Sequence, residues 1–115
     1  MKKKPDSRRS KWYRQRKKWG FDDRDTWSLD MTTSQFILPR LKRFKELTVG
    51  CPGCFCKEHE DVEVGMKRWY KILDDMIYFH EINADDKMWY SPEVDRKRFE
   101  RGLKYFGKHY MALWW

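Results

Sequence analysis

The sequence predicts an all-α protein in which three main helices form a small bundle behind a basic, partly disordered N-terminal arm. In three long segments the apolar side chains recur at i, i+3, i+4 and i+7, the spacing of an amphipathic helix. Met1–Gly20 carries six Lys and four Arg against one acid, a net charge of +9, while residues 21–115 are net −1. At 115 residues, with 17% aromatics, the chain supports one small core. We therefore expect an arm over 1–20 and a helical domain over 21–115.

The arm begins as MKKKPDSRRS, which has too little apolar surface to order itself and is expected to be mobile. Ser10 is expected to cap a short helix over 11–19 that Gly20 ends. Its basic side chains suit phosphates and its aromatic rings suit base stacking, although a plain solubilising tail is an equal alternative. The candidate nucleic-acid-binding residues are Lys2, Lys3, Lys4, Arg8, Arg9, Lys11, Trp12, Tyr13, Arg14, Arg16, Lys17, Lys18 and Trp19.

The first main helix is expected after an acidic loop, FDDRDTW, at residues 21–27. Ser28 or Asp30 is a suitable N-cap, and the helix is expected to run to about Thr48 before Gly50. Pro39 lies inside it on the side away from the core, where it removes one backbone hydrogen bond and favours a bend. The predicted core face consists of Ile37, Leu38, Leu41 and Phe44.

The second main helix is expected over about Val64 to Ile82. His80 lies on its apolar face, and we expect a core histidine satisfied by a carbonyl or a hydroxyl group. The predicted inward residues are Met66, Trp69, Leu73, Met76, Ile77 and His80. The opposite, polar side comprises Lys67, Lys71, Asp74, Asp75 and Tyr78.

The third main helix is expected to start at Ser91-Pro92-Glu93, which combines an N-cap, a proline and a first-turn acid. Its apolar stripe is Phe99, Leu103, Phe106, Tyr110, Leu113 and Trp114, flanked by Gly102 and Gly107, which would allow close helix packing. A cationic ridge on the other side is either a solvated surface or a secondary binding site: Lys97, Arg101, Lys104 and Lys108. The predicted common core is Leu41, Phe44, Trp69, Leu73, Met76, Leu103, Phe106 and Tyr110.

One loop carries metal-ligand side chains at close spacing. Cys51 and Cys54 form a C-x-x-C pair, and Cys56 with His59 would complete a tetrahedral zinc site. Structural zinc sites usually draw two ligand pairs from separated segments, so the primary expectation is reduced cysteines and no cofactor, with zinc as the alternative.

Enzymatic motifs are not found in the sequence: no P-loop, G-x-S-x-G, H-E-x-x-H or dinucleotide fingerprint. Asp74 and Asp75 are adjacent and cannot both point into one site. A non-enzymatic protein is therefore expected, with a small metal-dependent hydrolase as an alternative. The longest apolar runs, such as Met111–Trp115, are too short to span a bilayer, so no membrane association is expected, and the cysteine usage favours a reducing cytoplasm.

Several segments together resemble a family of small uncharacterised proteins of bacteriophages and prophages: Trp27-Ser-Leu-Asp30, Phe36-Ile-Leu-Pro-Arg-Leu-Lys-Arg-Phe44, Trp69-x-x-Ile-Leu-Asp-Asp-Met-Ile77, Gly102-Leu-Lys-Tyr-Phe106 and Leu113-Trp114. The resemblance covers about residues 20–114, and the FILPRLK segment is its most specific part. The loop from Cys51 to His59 departs from the family's pattern. The resemblance implies a viral protein in the cytoplasm of an infected bacterial host and carries no established activity.

Two binding hypotheses follow from these observations. The first is a protein that binds RNA, DNA or a ribonucleoprotein through its basic aromatic arm. The second is a phage accessory or anti-defence protein that sequesters a nucleotide signal or inhibits a host protein. The second hypothesis would use Trp89, Tyr90 and Trp115 together with the cationic ridge.

Overall fold

A computed structural model describes residues 7–55 and 61–114, except the side chains of Ser7, Cys54 and Trp89. The described part is all-helical and contains no strand, which confirms the all-α class, although it has five α-helices where the sequence predicts three main ones. Its five α-helices are α1 (Ser7–Trp19), α2 (Arg24–Trp27), α3 (Leu29–Leu47), α4 (Val62–Ala84) and α5 (Arg96–Lys108). Single 3₁₀ turns lie at Gly53–Phe55, Lys87–Trp89 and Tyr110–Ala112.

The core lies where α3 and α5 pack against the long central helix α4. Leu41 of α3 and three α4 residues, Trp69, Leu73 and Met76, are fully or almost fully buried, as their helical spacing predicted. Phe44 and Phe106 pack against this cluster from either side. Pro39 lies within α3 and faces solvent, also as predicted.

Helix α5 approaches α4 most closely at Gly102, which is buried. A Cβ atom there would overlap the carbonyl group of Asp75 and lie 2.9 Å from the Cβ of Phe79. The backbone-to-backbone contact makes Gly102 the centre of the inward face, whereas the sequence placed it at the margin. Gly107, by contrast, faces open space.

The rotation of α5 around that contact corrects part of the predicted core. Leu103 is 50% exposed and Tyr110 is 59% exposed, so neither is a core residue, and Trp114 is exposed as well. The inward positions include Phe106, as predicted, and also Gly102 and His109, which is 8% exposed. The predicted stripe was displaced because a glycine scores as a gap in a hydrophobic pattern although it permits the closest packing.

The start of α5 also differs from the prediction. Ser91-Pro92-Glu93 lies in a turn before the helix, and the N-cap is Asp95, whose carboxylate accepts a hydrogen bond from the backbone N–H of Arg98 at 3.1 Å. The N–H of Asp95 itself donates to the Tyr78 hydroxyl of α4 at 2.8 Å. A tertiary contact and a side-chain cap thus select a later start than the local proline signal.

His80 is the core histidine that the sequence predicted. It is 2% exposed, and its Nδ1 shares a hydrogen bond of 2.9 Å with the buried Ser34 hydroxyl of α3. Asn83 donates to the same hydroxyl and to the carbonyl of Asp30. His80 Nε2 has no hydrogen-bond partner within the described residues, and the ring lies edge-on to Phe106. Burial lowers the pKa of His80 to about 4, so the ring is neutral near pH 7.

Candidate nucleic-acid interface

Most of the described part of the basic arm is a regular helix. α1 starts at Ser7, four residues before the expected helix, so Ser10 lies inside it and is not its cap. Gly20 ends it with a φ of +82°, and its N–H donates to the carbonyl of Arg16 at 2.9 Å, as the sequence predicted. Residues 7–10, which were expected to be mobile, are therefore helical. Lys2, Lys3 and Lys4 lie outside the described residues.

One side of α1 is held by the segment that follows it. Arg16 Nε donates to the carboxylate of Asp22 at 2.6 Å, Lys11 pairs with Asp23 at 3.2 Å, and the Gln15 side chain accepts from the Asp23 N–H at 2.9 Å. The acidic loop predicted at 21–27 is thus an ion-pairing partner of α1, and it contains the short helix α2. Two of the candidate phosphate-binding cations, Lys11 and Arg16, already have carboxylate partners.

Asp22 is the centre of this contact, and its side chain is completely buried between two arginines. Besides Arg16, it accepts hydrogen bonds from the Nε, Nη2 and backbone N–H of Arg24, at 3.0, 2.8 and 2.9 Å. Hydrogen bonds from Arg24 and Arg16 hold the pKa of Asp22 well below its usual range although burial acts in the opposite direction. The sequence signal is an acid cluster directly after a cationic helix, a pattern that by itself does not distinguish an ion-pairing partner from a solvated loop.

The two tryptophans of α1 are engaged within the chain. The Arg24 guanidinium lies over the ring of Trp12, 4.3 Å from its centroid, and Trp27 meets the same ring edge-on at 6.0 Å. Trp19 packs against Phe21 at 5.7 Å between centroids. The stacking of bases on Trp12 stays a prediction, and on the ring face that Arg24 covers it would require displacement of Arg24.

The opposite side of α1 is open, and we call it the outward face. It consists of Arg9, Tyr13, Arg14, Lys17 and Lys18. All five side chains are exposed, and none of the four cations forms an ion pair with another described residue. Lys17 lies over the Tyr13 ring at 4.9 Å, and Tyr13 is 62% exposed. An ordered helix therefore presents four cations and one aromatic ring without any acid among them.

The ridge on α5 divides in a similar way. Arg101 Nε donates to the buried carboxylate of Asp75 at 2.9 Å, and Arg98 Nε donates to its other oxygen at 2.9 Å. The pattern of polarity predicts Asp75 on the exposed side of α4, and this is wrong because Arg98 and Arg101 of α5 bind its carboxylate at the helix contact. Lys97, Lys104 and Lys108 are exposed and form no ion pair within the described part of the chain. Of the predicted ridge, Arg101 is thus a structural group as well as a surface cation.

The cysteine loop is only partly described. Cys51 packs against the core cluster, and the side chain of Cys54 and the whole of Cys56 and His59 lie outside the described residues. Within the described residues no three His, Cys, Asp or Glu side chains are placed to hold a metal ion. The zinc site therefore stays a prediction.

Of the three aromatic residues predicted to bind a nucleotide signal or host protein, Tyr90 is the one whose side chain the structure describes. Tyr90 is 68% exposed, and its hydroxyl donates to the carbonyl of Asp85 at 2.6 Å. The Trp89 side chain and Trp115 lie outside the described residues. In the described ranges no helix is long and apolar enough to cross a membrane.

Comparisons of the chain with protein-family models, with curated proteins and with solved structures found no match.

Proposed function

We propose that this protein binds nucleic acid, alone or in a ribonucleoprotein, through the outward face of α1. The single observation that carries the proposal is that the ion-paired cations and the unpaired cations of α1 lie on different sides of the helix. On one side, Lys11 and Arg16 form ion pairs with carboxylates. On the other side, four cations are exposed to solvent: Arg9, Arg14, Lys17 and Lys18. Unpaired cations on one surface attract phosphate because binding releases the counterions condensed on the polymer.

The dimensions of α1 suit a duplex. A helix of 13 residues is about 20 Å long and about 10–12 Å wide with its side chains, which matches a B-DNA major groove about 12 Å wide. Arg14 and Lys18 are one turn apart, as are Arg9, Tyr13 and Lys17, so the cations follow two adjacent lines along the helix. Such lines supply several phosphate contacts from one helix, whose backbone is already ordered before binding.

The contact between α1 and residues 21–27 supports the same proposal. Because Asp22 and Asp23 bind the other side of α1, the segment 21–27 holds that helix with its outward face toward solvent. Preorganisation of this kind reduces the entropy cost of binding. Residues 2–4, which precede α1 in the sequence, would add three further lysines.

The first experiment is a salt titration of binding by fluorescence anisotropy, with a labelled DNA duplex, RNA duplex and single-stranded RNA. If the four cations of the outward face each contact a phosphate, log affinity against log salt has a slope of about −3.6 on duplex DNA and about −2.8 on a single strand. Replacement of Arg9, Arg14, Lys17 and Lys18 by Gln should remove most of this slope.

The matched control removes the same charge from the helical body through Lys67, Lys97, Lys104 and Lys108, all exposed. This variant should bind nearly as the parent protein does. A loss confined to the control would place the interface on the α5 ridge. No binding of the parent protein to any of the three nucleic acids would overturn the proposal in favour of a nucleotide-sequestering or host-directed accessory protein.

A second experiment separates the aromatic residues. Tyr13→Ala should cost about 1–3 kcal/mol on single strands if a base stacks on the ring, and little on duplexes. Trp12→Ala should instead weaken the contact between α1 and the following segment, since it removes the ring that Arg24 and Trp27 contact. Equal effects of both substitutions on single-strand affinity, with α1 still helical by amide exchange, would restore Trp12 as a stacking residue.

The cellular setting is proposed from the sequence resemblance alone: a phage or prophage protein acting in the cytoplasm of an infected bacterium. A pull-down of the tagged full chain from infected cells, with and without nuclease, tests this setting together with the class of partner. Partners lost on nuclease treatment support nucleic acid or ribonucleoprotein, and a nuclease-resistant host protein supports the accessory-protein alternative. Turnover measured with and without chelator tests the remaining alternative, a small metal-dependent hydrolase.

A further inference from the structure

A cleft of about 430 Å³ lies between α4 and α5 beside the 3₁₀ turn at Gly53–Phe55, and no residue of α1 lines it. We call it the α4–α5 cleft. Its volume lies within the range of small-molecule sites, about 300–1,000 Å³. It is lined by Phe55, Arg68, Lys71, Ile72, Asp75, Arg101 and Tyr105.

The cleft is built by helical spacing on both of its sides. Arg68, Lys71, Ile72 and Asp75 follow the i, i+3, i+4, i+7 positions of one α4 face, and Arg101 and Tyr105 are one turn apart on α5. The close approach at Gly102 fixes the distance between these two rows. The lining residues are therefore positioned by the core of the protein.

The charge of the cleft is positive. Three cations line it against one carboxylate, Asp75, and both oxygens of that carboxylate already accept hydrogen bonds from Arg98 and Arg101. Lys71 is exposed and has no ion-pair partner within the described residues. Lys71 and the terminal amino groups of Arg101 are thus the cationic groups available to an anion.

Arg101 is the residue best arranged to receive that anion. Its Nε is fixed on Asp75 at 2.9 Å, while its terminal amino groups make no hydrogen bond to a described residue and the side chain is 48% exposed. A guanidinium held at one nitrogen presents its remaining donors in a planar fork, the geometry that binds two oxygens of a phosphate.

The rest of the lining is apolar and aromatic. Phe55 stacks on Trp69 with 5.7 Å between ring centroids, and its own position is fixed further by the Arg68 side chain, which donates to its carbonyl at 2.8 Å. Tyr105 and Ile72 provide the remaining apolar contacts. Rings beside a cationic group favour a ligand that joins a planar ring to an anion.

We propose that the α4–α5 cleft binds a nucleotide, with its phosphate on Arg101 and Lys71 and its base against Phe55, Ile72 and Tyr105. A phosphate monoester is favoured over a carboxylate because its charge of about −1.5 to −2 matches the two cations Lys71 and Arg101 better than a single negative charge does. This site is separate from α1 and does not depend on nucleic-acid binding there.

The test is calorimetric titration of the full chain with the four ribonucleoside 5′-monophosphates, the unphosphorylated nucleosides, inorganic phosphate and a short single-stranded RNA. At least one monophosphate should bind at least about tenfold more tightly than its nucleoside or phosphate alone, because only it supplies both the anion and the ring. Tighter binding of the RNA by the same residues would identify a nucleotide within a chain as the source.

The decisive variants are Lys71→Ala and Lys67→Ala. Both residues are exposed lysines on α4, one turn apart, but only Lys71 lines the cleft. Lys71→Ala should weaken monophosphate binding about tenfold, the effect of one charge-assisted hydrogen bond, while Lys67→Ala should leave it unchanged. Tyr105→Leu should lower the affinity for the nucleotide without changing the affinity for inorganic phosphate.

Three results would overturn the proposal. They are no binding of any monophosphate below about 5 mM, equal losses in the two lysine variants, and equal affinity for phosphate and nucleotide. The α1 variant lacking the four outward cations provides the last control. It should retain nucleotide binding, and a loss of that binding would be a fourth result against the proposal, because it would place the nucleotide on α1.

Discussion

Two buried aspartates, each held between two arginines, stabilise two different regions of this molecule. Asp22 joins α1 to the segment that follows it, and its partners Arg16 and Arg24 are six and two residues away in the sequence. Asp75 joins α4 to α5, and its partners Arg98 and Arg101 are 23 and 26 residues away. The same chemical group therefore makes a local contact in one region and a tertiary contact in the other.

The surroundings of the two clusters differ more than their hydrogen bonds do. Asp75 lies beside the apolar core and directly against the close approach at Gly102. Asp22 lies among exposed aromatic residues, since Trp19, Phe21 and Trp27 are 49%, 45% and 69% exposed. Helix α1 is thus ordered mainly by charge and ring contacts, whereas α3–α5 are ordered by hydrophobic burial to which the Asp75 cluster adds specificity. The comparison predicts that the two regions respond differently to substitution and to pH.

The largest expected effect comes from Gly102→Ala. The added Cβ would overlap the Asp75 carbonyl, a backbone group that cannot move without separating α4 from α5, so we expect a loss of about 3 kcal/mol or more in the free energy of unfolding. Urea unfolding followed by circular dichroism measures it. Gly107→Ala is the matched control, because its Cβ meets open space and the substitution should stabilise α5 by up to about 1 kcal/mol. Equal effects of the two substitutions would contradict the described helix packing.

The pH dependence of stability should separate the regions next. The pKa of His80 is lowered by burial from 6.5 to about 4, so the unfolded chain binds a proton at a higher pH than the folded chain does. The contribution of neutral His80 to the free energy of unfolding is therefore complete above about pH 6.5. It is lost as the pH falls toward 4, by up to about 3 kcal/mol. Burial, followed by the charge of Lys108, also lowers the pKa of His109, which acts in the same direction.

Thermal unfolding from pH 7.5 to 4 measures this loss, and His80→Asn should remove most of the slope. The contacts of Asp22 should persist over the same interval. Its pKa is lowered from 3.8, so its contribution is present above that value and is lost only as the pH falls below it. A stability curve that is flat between pH 6.5 and 4 would show that His80 is not buried in solution.

Asp75→Asn should have a smaller effect. The amide keeps the shape of the carboxylate but presents an N–H₂ group to one of the two arginines, and the loss expected for hydrogen bonds to a charged group is about 1–3 kcal/mol. The arginines are 36% and 48% exposed and can turn toward water, which limits the loss. Chemical unfolding measures it, and Asp74→Asn, next to it in the sequence but on the side of Lys45, is the control. A larger loss of stability for Asp74→Asn than for Asp75→Asn would contradict the assignment of Asp75 to the α4–α5 contact.

The smallest effect on global stability is expected for Asp22→Asn. It removes the charge that holds Arg16 and Arg24, so amide hydrogen exchange in residues 7–19 should become faster while exchange in α4 stays the same. Mass spectrometry of peptic fragments resolves the two regions. Faster exchange throughout the chain would show that α1 and the core unfold together, and unchanged exchange in α1 would show that its order does not depend on Asp22.

The sequence predicted the helical body well where hydrophobic periodicity was unbroken. The α4 stripe of Trp69, Leu73, Met76 and His80 is buried as predicted, because side chains at this spacing must share one face of any α-helix. The end of α1 was predicted for an equally local reason, since Gly20 adopts a positive φ that other residues avoid. The four cations of the outward face were all named from composition, but composition did not separate them from Lys11 and Arg16.

What the sequence by itself determined, then, is the all-helical class, the α3–α4 core and the concentration of charge in α1. Only the tertiary structure decided the orientation of α5, the burial of Asp22 and Asp75, and the α4–α5 cleft. The physical reason is that a glycine contact and a buried ion pair both depend on a partner from another segment. Their residues look like a gap or a solvated charge in a pattern of polarity, and their role appears only when two backbones are brought together.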